Sequence, residues 1–159
     1  MNTAYLLIGG NLGDRAAYLA EAVKQISVVC GRVTSISSLY ETAAWGNTNQ
    51  PAFYNQAICV ETTLEPENLL AHLLTIEIEM GRVREEKYGP RTIDLDILMV
   101  NDIVLDSPTL TIPHPQLHNR RFALLPLIEI APTLLHPVLD KTMQELLLNC
   151  PDILDVQKK

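Results

Sequence analysis

Residues 89 to 100, GPRTIDLDILMV, constrain the fold more than any other stretch of this sequence. From Ile93 onward the stretch is otherwise apolar, which predicts a buried strand, yet Asp94 and Asp96 interrupt it. Because alternate side chains of a strand lie on the same face, Leu95 and Ile97 take one face. The two carboxylates project from the other, with Cα atoms roughly 6.5 to 7 Å apart. The chain must therefore fold so that a buried strand begins with two neighbouring acids.

Two carboxylates placed in this way repel each other. At about 6 Å and an effective dielectric constant near 20, the repulsion is roughly 2 to 3 kcal/mol. A divalent cation between them would remove that cost, and Mg²⁺ prefers carboxylate oxygens while keeping water and substrate phosphates as further ligands. The D-x-D pair alone leaves a second interpretation open, in which both acids are solvated at a sheet edge.

Five of the seven arginines lie in two short segments of a chain whose formal charge is -7. Arg82, Arg84 and Arg91 precede the acidic strand, and Arg120 and Arg121 follow it. A guanidinium group matches phosphate oxygens in pairs, so arginines beside Mg²⁺-binding acids indicate phosphoryl transfer from a nucleoside triphosphate. Since the sequence has no GxxxxGK[ST] loop, metal and arginines would hold the phosphates instead of a backbone cradle. Counting alone leaves a solvated arginine patch as an equal alternative.

The remaining chain alternates strand and helix patterns. Strands are predicted over residues 3–8, 32–41, 54–62 and 92–100, with an edge strand at 103–105, and helices over 14–29, 66–80, 120–131 and from Thr142 onward. The order resembles the split βαβ plan, so the predicted fold class is α+β, ferredoxin-like, with an antiparallel-rich sheet and its flanking helices on one face. A length of 159 residues predicts a single domain, residues 1–159.

Charge and composition exclude several function classes. The net charge of -7 argues against a nucleic-acid or anionic-membrane surface, and no apolar run approaches the ~20 residues of a membrane span. The N-terminus lacks the pattern of a signal peptide, which predicts a cytoplasmic protein. Cys30, Cys59 and Cys150 are odd in number and far apart, so they are predicted to be free thiols. We expect no nucleic-acid or membrane partner, and a monomer.

Six motifs follow one another along essentially the whole chain. They are LLIGGNLGD near the start, YETAAWG and QPAFYN in the middle, then GRVR, YGPRTIDLDIL and IPHPQLHNRRF. Together they resemble the 6-hydroxymethyl-7,8-dihydropterin pyrophosphokinase family of folate biosynthesis, with the GPRTIDLDIL run as the most specific part and the PHP-x4-R-x-F spacing in support. The resemblance implies transfer of the pyrophosphoryl group of ATP to the hydroxymethyl oxygen of the pterin, with release of AMP.

The resemblance also assigns roles to particular residues. Asp94 and Asp96 would bind two Mg²⁺ ions, while Arg82 and Arg91 would stabilise charge during transfer. ATP would be held by Glu77, Arg84, Arg91, Ile97, Thr111, His114 and Arg120, with Ile97 and Thr111 at the adenosine end. The pterin would stack between Phe53 and Phe122, and the other substrate-binding positions would be Gly9, Thr42, Trp45, Asn55 and Asp94.

The sequence departs from the family pattern at three places. Tyr88 stands where the family usually has Trp, residues 43–45 read Ala-Ala-Trp in place of Pro-Pro-Leu, and Phe53 stands where some members carry Tyr. None of these changes touches the paired acids. Since no residue stands out as a general base, the substrate hydroxyl would be activated chiefly by the metal.

Two other functions remain open from the residues alone. A nucleotidyltransferase or glycosyltransferase could use D-x-D with a metal to attack another phosphorus or a sugar carbon, and free pyrophosphate would then favour it over AMP with a pyrophosphorylated pterin. A non-catalytic small-ligand sensor could share the fold, but it would not need acids for Mg²⁺ and arginines for phosphate on adjoining elements.

Overall fold

The structure, a computed structural model, describes residues 1–43, 49–81 and 92–159. The strands are β1 (Asn2–Gly10), β2 (Arg32–Ile36), β3 (Tyr40–Thr42), β4 (Phe53–Thr62), β5 (Asp94–Val100), β6 (Leu105–Asp106), β7 (Thr111–Ile112) and β8 (Val156–Lys158). The helices are α1 (Arg15–Val29), α2 (Pro66–Glu79), α3 (Arg121–Ile130) and α4 (Met143–Leu148), with a 3₁₀ turn at Leu117–Asn119.

Six strands form the main sheet, in the order β5-β1-β4-β3-β8, with β2 also paired to β4. Every pair in the described part of this sheet is antiparallel, and β1 lies against β4 from Asn2–Thr62 to Gly10–Tyr54. The α+β class and the antiparallel-rich sheet are confirmed. The strand that carries the paired acids, β5, lies at an edge of the sheet beside β1.

Helices cover both faces of the sheet. Ala4, Leu6 and Ile8 of β1 point to a first core shared with α1 and α2, whereas Leu7 points to a second core shared with α3 and α4. The period of two along a strand explains this division. The expectation that all helices lie on one face was therefore wrong, because residues after 120 supply a second apolar layer.

Local details differ from the sequence prediction at three places. The predicted strand 32–41 is two strands, because Ser37 leaves the ladder and its hydroxyl accepts the Ala57 N–H at 2.9 Å. The strand expected at 103–105 is replaced by a short hairpin of β6 with β7. The strand β8 was not anticipated.

Several helix ends follow the sequence signals. The Asp14 side chain caps α1 by accepting the Ala17 N–H, and a capping box of Thr142 and Glu145 opens α4 at the residue where the helix was predicted to begin. Gly81 follows α2 with φ 84°, a left-handed conformation that favours glycine. All three cysteines are free thiols, as predicted. In the described ranges, no helix has both the length and the apolarity needed to cross a bilayer.

Candidate active site

One row of residues crosses the sheet on the face that α3 covers. The strand register pairs Gly9 with Asp94 on one side and with Asn55 on the other, and it pairs Asn55 with Tyr40. Leu7, two residues before Gly9, belongs to the second core, so the whole row faces α3. An acid and an amide thus flank a residue that has no side chain.

Gly9 is required by the close approach of β4. A Cβ atom at this position would lie 2.2 Å from Asn55 Oδ1 and 3.0 Å from the carbonyl oxygen of Tyr54. Asn55 itself is only 5% exposed. The missing side chain of Gly9 therefore lets the Asn55 amide lie against β1, on the face that α3 covers.

Asp94 and Asp96 are half-buried, and they share this face at the start of β5. Leu95 and Ile97 point to the opposite face and are part of the first core, as the alternation predicts. From α2, the buried carboxylate of Glu77 accepts the Leu95 N–H at 2.7 Å. This contact fixes the backbone between the two aspartates.

His114 lies beside this acidic strand because its N–H donates to the carbonyl oxygen of Leu98 at 2.9 Å. Its Nδ1 accepts the Gln116 N–H at 3.1 Å, so the proton of the neutral imidazole is on Nε2. Burial lowers the pKa of His114 to about 4; the positive charge of Arg120 also lowers it, and the Asp94 carboxylate partly opposes both. At neutral pH His114 is therefore an uncharged donor near an acid and a guanidinium.

The start of α3 forms the opposite wall. Arg120 Cζ lies 5.6 Å from the centroid of the Phe122 ring, and Phe122 packs against the second core. Phe53 begins β4 two residues before Asn55 and so shares the face of Asn55. Thr42, which pairs with Phe53 across β3 and β4, is buried, and its hydroxyl donates to the carbonyl oxygen of Asp155 at 3.0 Å.

Other predicted residues lie apart from this row or outside the described ranges. Ile97, on β5, points into the first core, and Glu77 of α2 contacts β5 from that side. Thr111 lies on β7, paired with Asp106. Arg82, Arg84, Arg91 and Trp45 lie outside the described residues, as do Tyr88 and Ala44.

The donor set on the described face suits a hard cation that keeps other ligands. Within residues 1–43, 49–81 and 92–159 no group of three or more His, Cys, Asp or Glu side chains could hold a metal by itself. Two neighbouring carboxylates supply only part of a Mg²⁺ shell, and phosphate oxygens and water commonly complete it. The protein atoms therefore fit a metal that arrives with a phosphorylated ligand.

Sequence reasoning missed two acids that support the α3 wall. Glu129 of α3 accepts the Tyr40 hydroxyl at 2.6 Å and the Ser38 N–H at 2.8 Å. Asp152 accepts the Arg121 N–H at 3.1 Å. No local motif signals these contacts, because the residues they join lie 31 to 91 positions apart in the chain.

Comparisons with known proteins agree on one family. The family described as 7,8-dihydro-6-hydroxymethylpterin-pyrophosphokinase (HPPK) matches residues 5–132. A 2-amino-4-hydroxy-6-hydroxymethyldihydropteridine pyrophosphokinase of Aquifex aeolicus is 40% identical over 91% of this chain and 90% of its own. A protein of the same name from Methylorubrum extorquens is 44% identical over 84% and 85%.

Longer proteins match over part of their length. The chain is 40% identical to the folic acid synthesis protein FOL1 of Dictyostelium discoideum, and it spans only 23% of that protein. Among solved structures, the wild-type HPPK-DHPS of Plasmodium falciparum with pteroate superposes with a TM-score of 0.76 at 19% identity. That match covers 93% of this chain and 42% of the other, and at this identity it shows a shared fold.

Proposed function

The chain belongs to the 7,8-dihydro-6-hydroxymethylpterin-pyrophosphokinase family, and on that premise we propose that it pyrophosphorylates 6-hydroxymethyl-7,8-dihydropterin with ATP in folate biosynthesis. The hydroxymethyl oxygen attacks the β-phosphorus of ATP, and the bond from that phosphorus to the oxygen bridging the α-phosphate breaks. AMP leaves with the bridging oxygen, and the hydroxyl proton passes to solvent. The products are AMP and the pterin diphosphate.

The observation that carries this proposal is the row Asp94–Gly9–Asn55 across three neighbouring strands. Asn55 offers an amide that can pair with the hydrogen-bonding edge of a flat heterocycle, and the missing side chain of Gly9 makes room for that amide against β1. Phe53 and Phe122 supply aromatic faces for stacking. The proposed heterocycle site at Asn55 therefore lies one strand away from Gly9 and two strands away from Asp94, the proposed site of phosphoryl transfer.

Asp94 and Asp96 are the residues that would hold Mg²⁺, and we infer two ions. Bound Mg²⁺ would neutralise negative charge on the triphosphate and polarise the attacked phosphorus. The chain's part is to keep both carboxylates on one face of β5, which it does through the first-core packing of Leu95 and the Glu77 hydrogen bond to the Leu95 N–H.

The residues beside this pair would bind and orient ATP. His114 would donate its Nε2–H to a phosphate oxygen without adding charge, and Arg120 would supply a guanidinium at the start of α3. Arg82, Arg84 and Arg91 complete the proposed phosphate site on the sequence pattern alone. Among them, Arg91→Lys is expected to lower turnover by orders of magnitude, because an ammonium group cannot make the paired contact.

Product analysis tests the proposal directly. The enzyme is incubated with ATP, Mg²⁺ and the pterin, and the products are separated by chromatography and identified by mass. AMP and pterin diphosphate in equal amounts are expected; free pyrophosphate would instead support a nucleotidyltransferase. Calorimetry that detects no ATP binding with Mg²⁺ present would support a sensor domain.

A pair of acid substitutions sharpens this test. Asp96→Ala should abolish turnover while cooperative unfolding persists. Asp102→Ala removes an exposed acid from the turn after β5 and should leave turnover unchanged. Equal activity of both variants would exclude Asp96 from the reaction.

We also propose that residues 1–159 form one pyrophosphokinase domain, which works as a cytoplasmic monomer. Both hydrophobic cores pack on the same sheet, which supports a single domain. Sedimentation of the purified chain would test the monomer.

A further inference from the structure

The C-terminal segment, residues 150–159, contacts both walls of the proposed pterin site. It lies beyond residue 132, where the family match ends. At one end Asp152 contacts the start of α3, and at the other β8 pairs with β3 through Thr42–Val156 and Tyr40–Lys158. The segment therefore joins the element that carries Phe122 to the strand that pairs with Phe53.

The Asp152 carboxylate bridges two backbone groups. Its Oδ2 accepts the Arg121 N–H at 3.1 Å, and its Oδ1 accepts the Leu154 N–H at 3.0 Å. Arg121 is the first residue of α3, and the preceding residue, Arg120, makes no side-chain capping hydrogen bond. The first N–H groups of a helix need an outside acceptor, and a negative charge there is favourable. Asp152 supplies both from a distant part of the chain.

The other end of the segment is fixed by separate contacts. The Thr42 hydroxyl donates to the carbonyl oxygen of Asp155 at 3.0 Å, and Lys158 Nζ lies 3.7 Å from the Glu129 carboxylate. The Asp155 side chain, in contrast, is exposed and accepts only from Gln157 among the described residues. The Asp152 carboxylate thus contacts α3, whereas the Asp155 carboxylate contacts only its own segment among the described residues.

We propose that Asp152 is a positioning residue for the pterin site, acting through the first turn of α3 to fix the Phe122 ring. This inference rests on the proposed function, since it presumes that Phe122 stacks on the pterin. Loss of the contact leaves the first turn of α3 without its distant acceptor, so the ring samples more orientations and binding has to order it. The chemical step, at Asp94 and Asp96, is not altered.

Asp152→Asn is the informative substitution. An asparagine has a single acceptor oxygen in its side chain, so it can accept the Arg121 N–H or the Leu154 N–H but not both, and in either orientation the charged bridge to α3 is lost. Asp155→Asn makes the same charge change on the same segment and is the matched control. Steady-state kinetics are measured for the pterin and for ATP, and circular dichroism confirms that each variant is folded at the assay temperature.

The expected result is a rise in the pterin KM of about tenfold for Asp152→Asn, the size expected from losing one hydrogen bond to a charged group. Its kcat should stay within about twofold of wild type, and the Asp155→Asn variant should match wild type. A pterin KM unchanged in folded Asp152→Asn, or a fall in kcat alone, would overturn the inference. Failure of wild type to form AMP would instead overturn the proposed function.

Discussion

Gly9→Ala is the substitution that most directly tests the cross-strand row. The new Cβ would lie 2.2 Å from Asn55 Oδ1, a separation that real Cβ atoms essentially never show. The Tyr54 carbonyl oxygen also lies only 3.0 Å from the new Cβ and belongs to the β4 backbone, so a small shift of the Asn55 side chain alone does not relieve the crowding. The Asn55 amide must therefore rotate out of the row, or β1 and β4 must separate locally.

The structure sets the size of two effects. Forcing one extra carbon into a packed site costs about 1 to 3 kcal/mol, which for a chain of this length lowers Tm by about 2 to 12 °C. A rotated Asn55 also leaves the heterocycle edge unpaired, and an unmet hydrogen bond of about 1 to 3 kcal/mol corresponds to roughly fivefold to 150-fold weaker pterin binding. ATP affinity should change much less, because the clash falls on Asn55 and Tyr54 of β4, whereas the metal-binding acids lie on β5, on the other side of β1.

Calorimetry of pterin and ATP binding separates these effects, with thermal unfolding measured on the same samples. Ala20→Gly is a control for stability alone, because it weakens the exposed face of α1 by about 1 kcal/mol without reaching the α3 face. The control should have a lower Tm than wild type and an unchanged affinity for the pterin. Gly9→Ala that binds the pterin as tightly as wild type would refute the role assigned to this row.

Three further substitutions test the surroundings of the site. His114→Gln should remove a pH dependence of the free energy of unfolding. Because the pKa of His114 is lowered in the folded state, wild type has its full stability above pH 6.5 and loses up to about 3 kcal/mol as the pH falls towards 4. Urea unfolding at several pH values should therefore show that the free energy of unfolding falls more steeply with acidification in wild type than in the variant. The same dependence on pH in both proteins would contradict this. Tyr40→Phe removes the hydrogen bond to Glu129 and should cost about 1.5 to 3 kcal/mol in the free energy of unfolding, and an unchanged urea midpoint would be inconsistent with that contact. Thr142→Ala removes the capping box of α4 and should cost about 1 kcal/mol while turnover stays normal; lost turnover would link α4 to the site.

The sequence was sufficient wherever the signal is local and periodic. The alternation around Asp94 and Asp96 predicted which side chains are buried, and β5 has that pattern. The helix starts predicted at residues 14, 66 and 142 also lie within one residue of the observed starts. In each case the determining interaction lies within a few residues, so a short window of sequence contains it.

Long-range contacts account for what could not be predicted. That Gly9, Asp94 and Asn55 form one row depends on strand register, which no single segment encodes. Likewise, the bridge from Asp152 to α3 joins residues 31 positions apart, and an isolated acid near a C-terminus carries no pattern. The placement of α3 and α4 on the second face depends on packing against β1 and β4, which their own periodicity does not specify.

Nucleotide binding with and without Mg²⁺ tests the central claim that Asp94 and Asp96 hold the metal for ATP. Calorimetry is performed with a non-hydrolysable ATP analogue on wild type, Asp94→Asn, Asp96→Asn and the exposed-acid control Asp102→Asn. Wild type and the control are expected to bind the analogue tightly when Mg²⁺ is present and weakly when it is absent. Each active-site variant should bind it about tenfold or more weakly than wild type in the presence of Mg²⁺. Equal affinity in all four proteins, or binding that ignores Mg²⁺, would show that these two acids do not form the metal site.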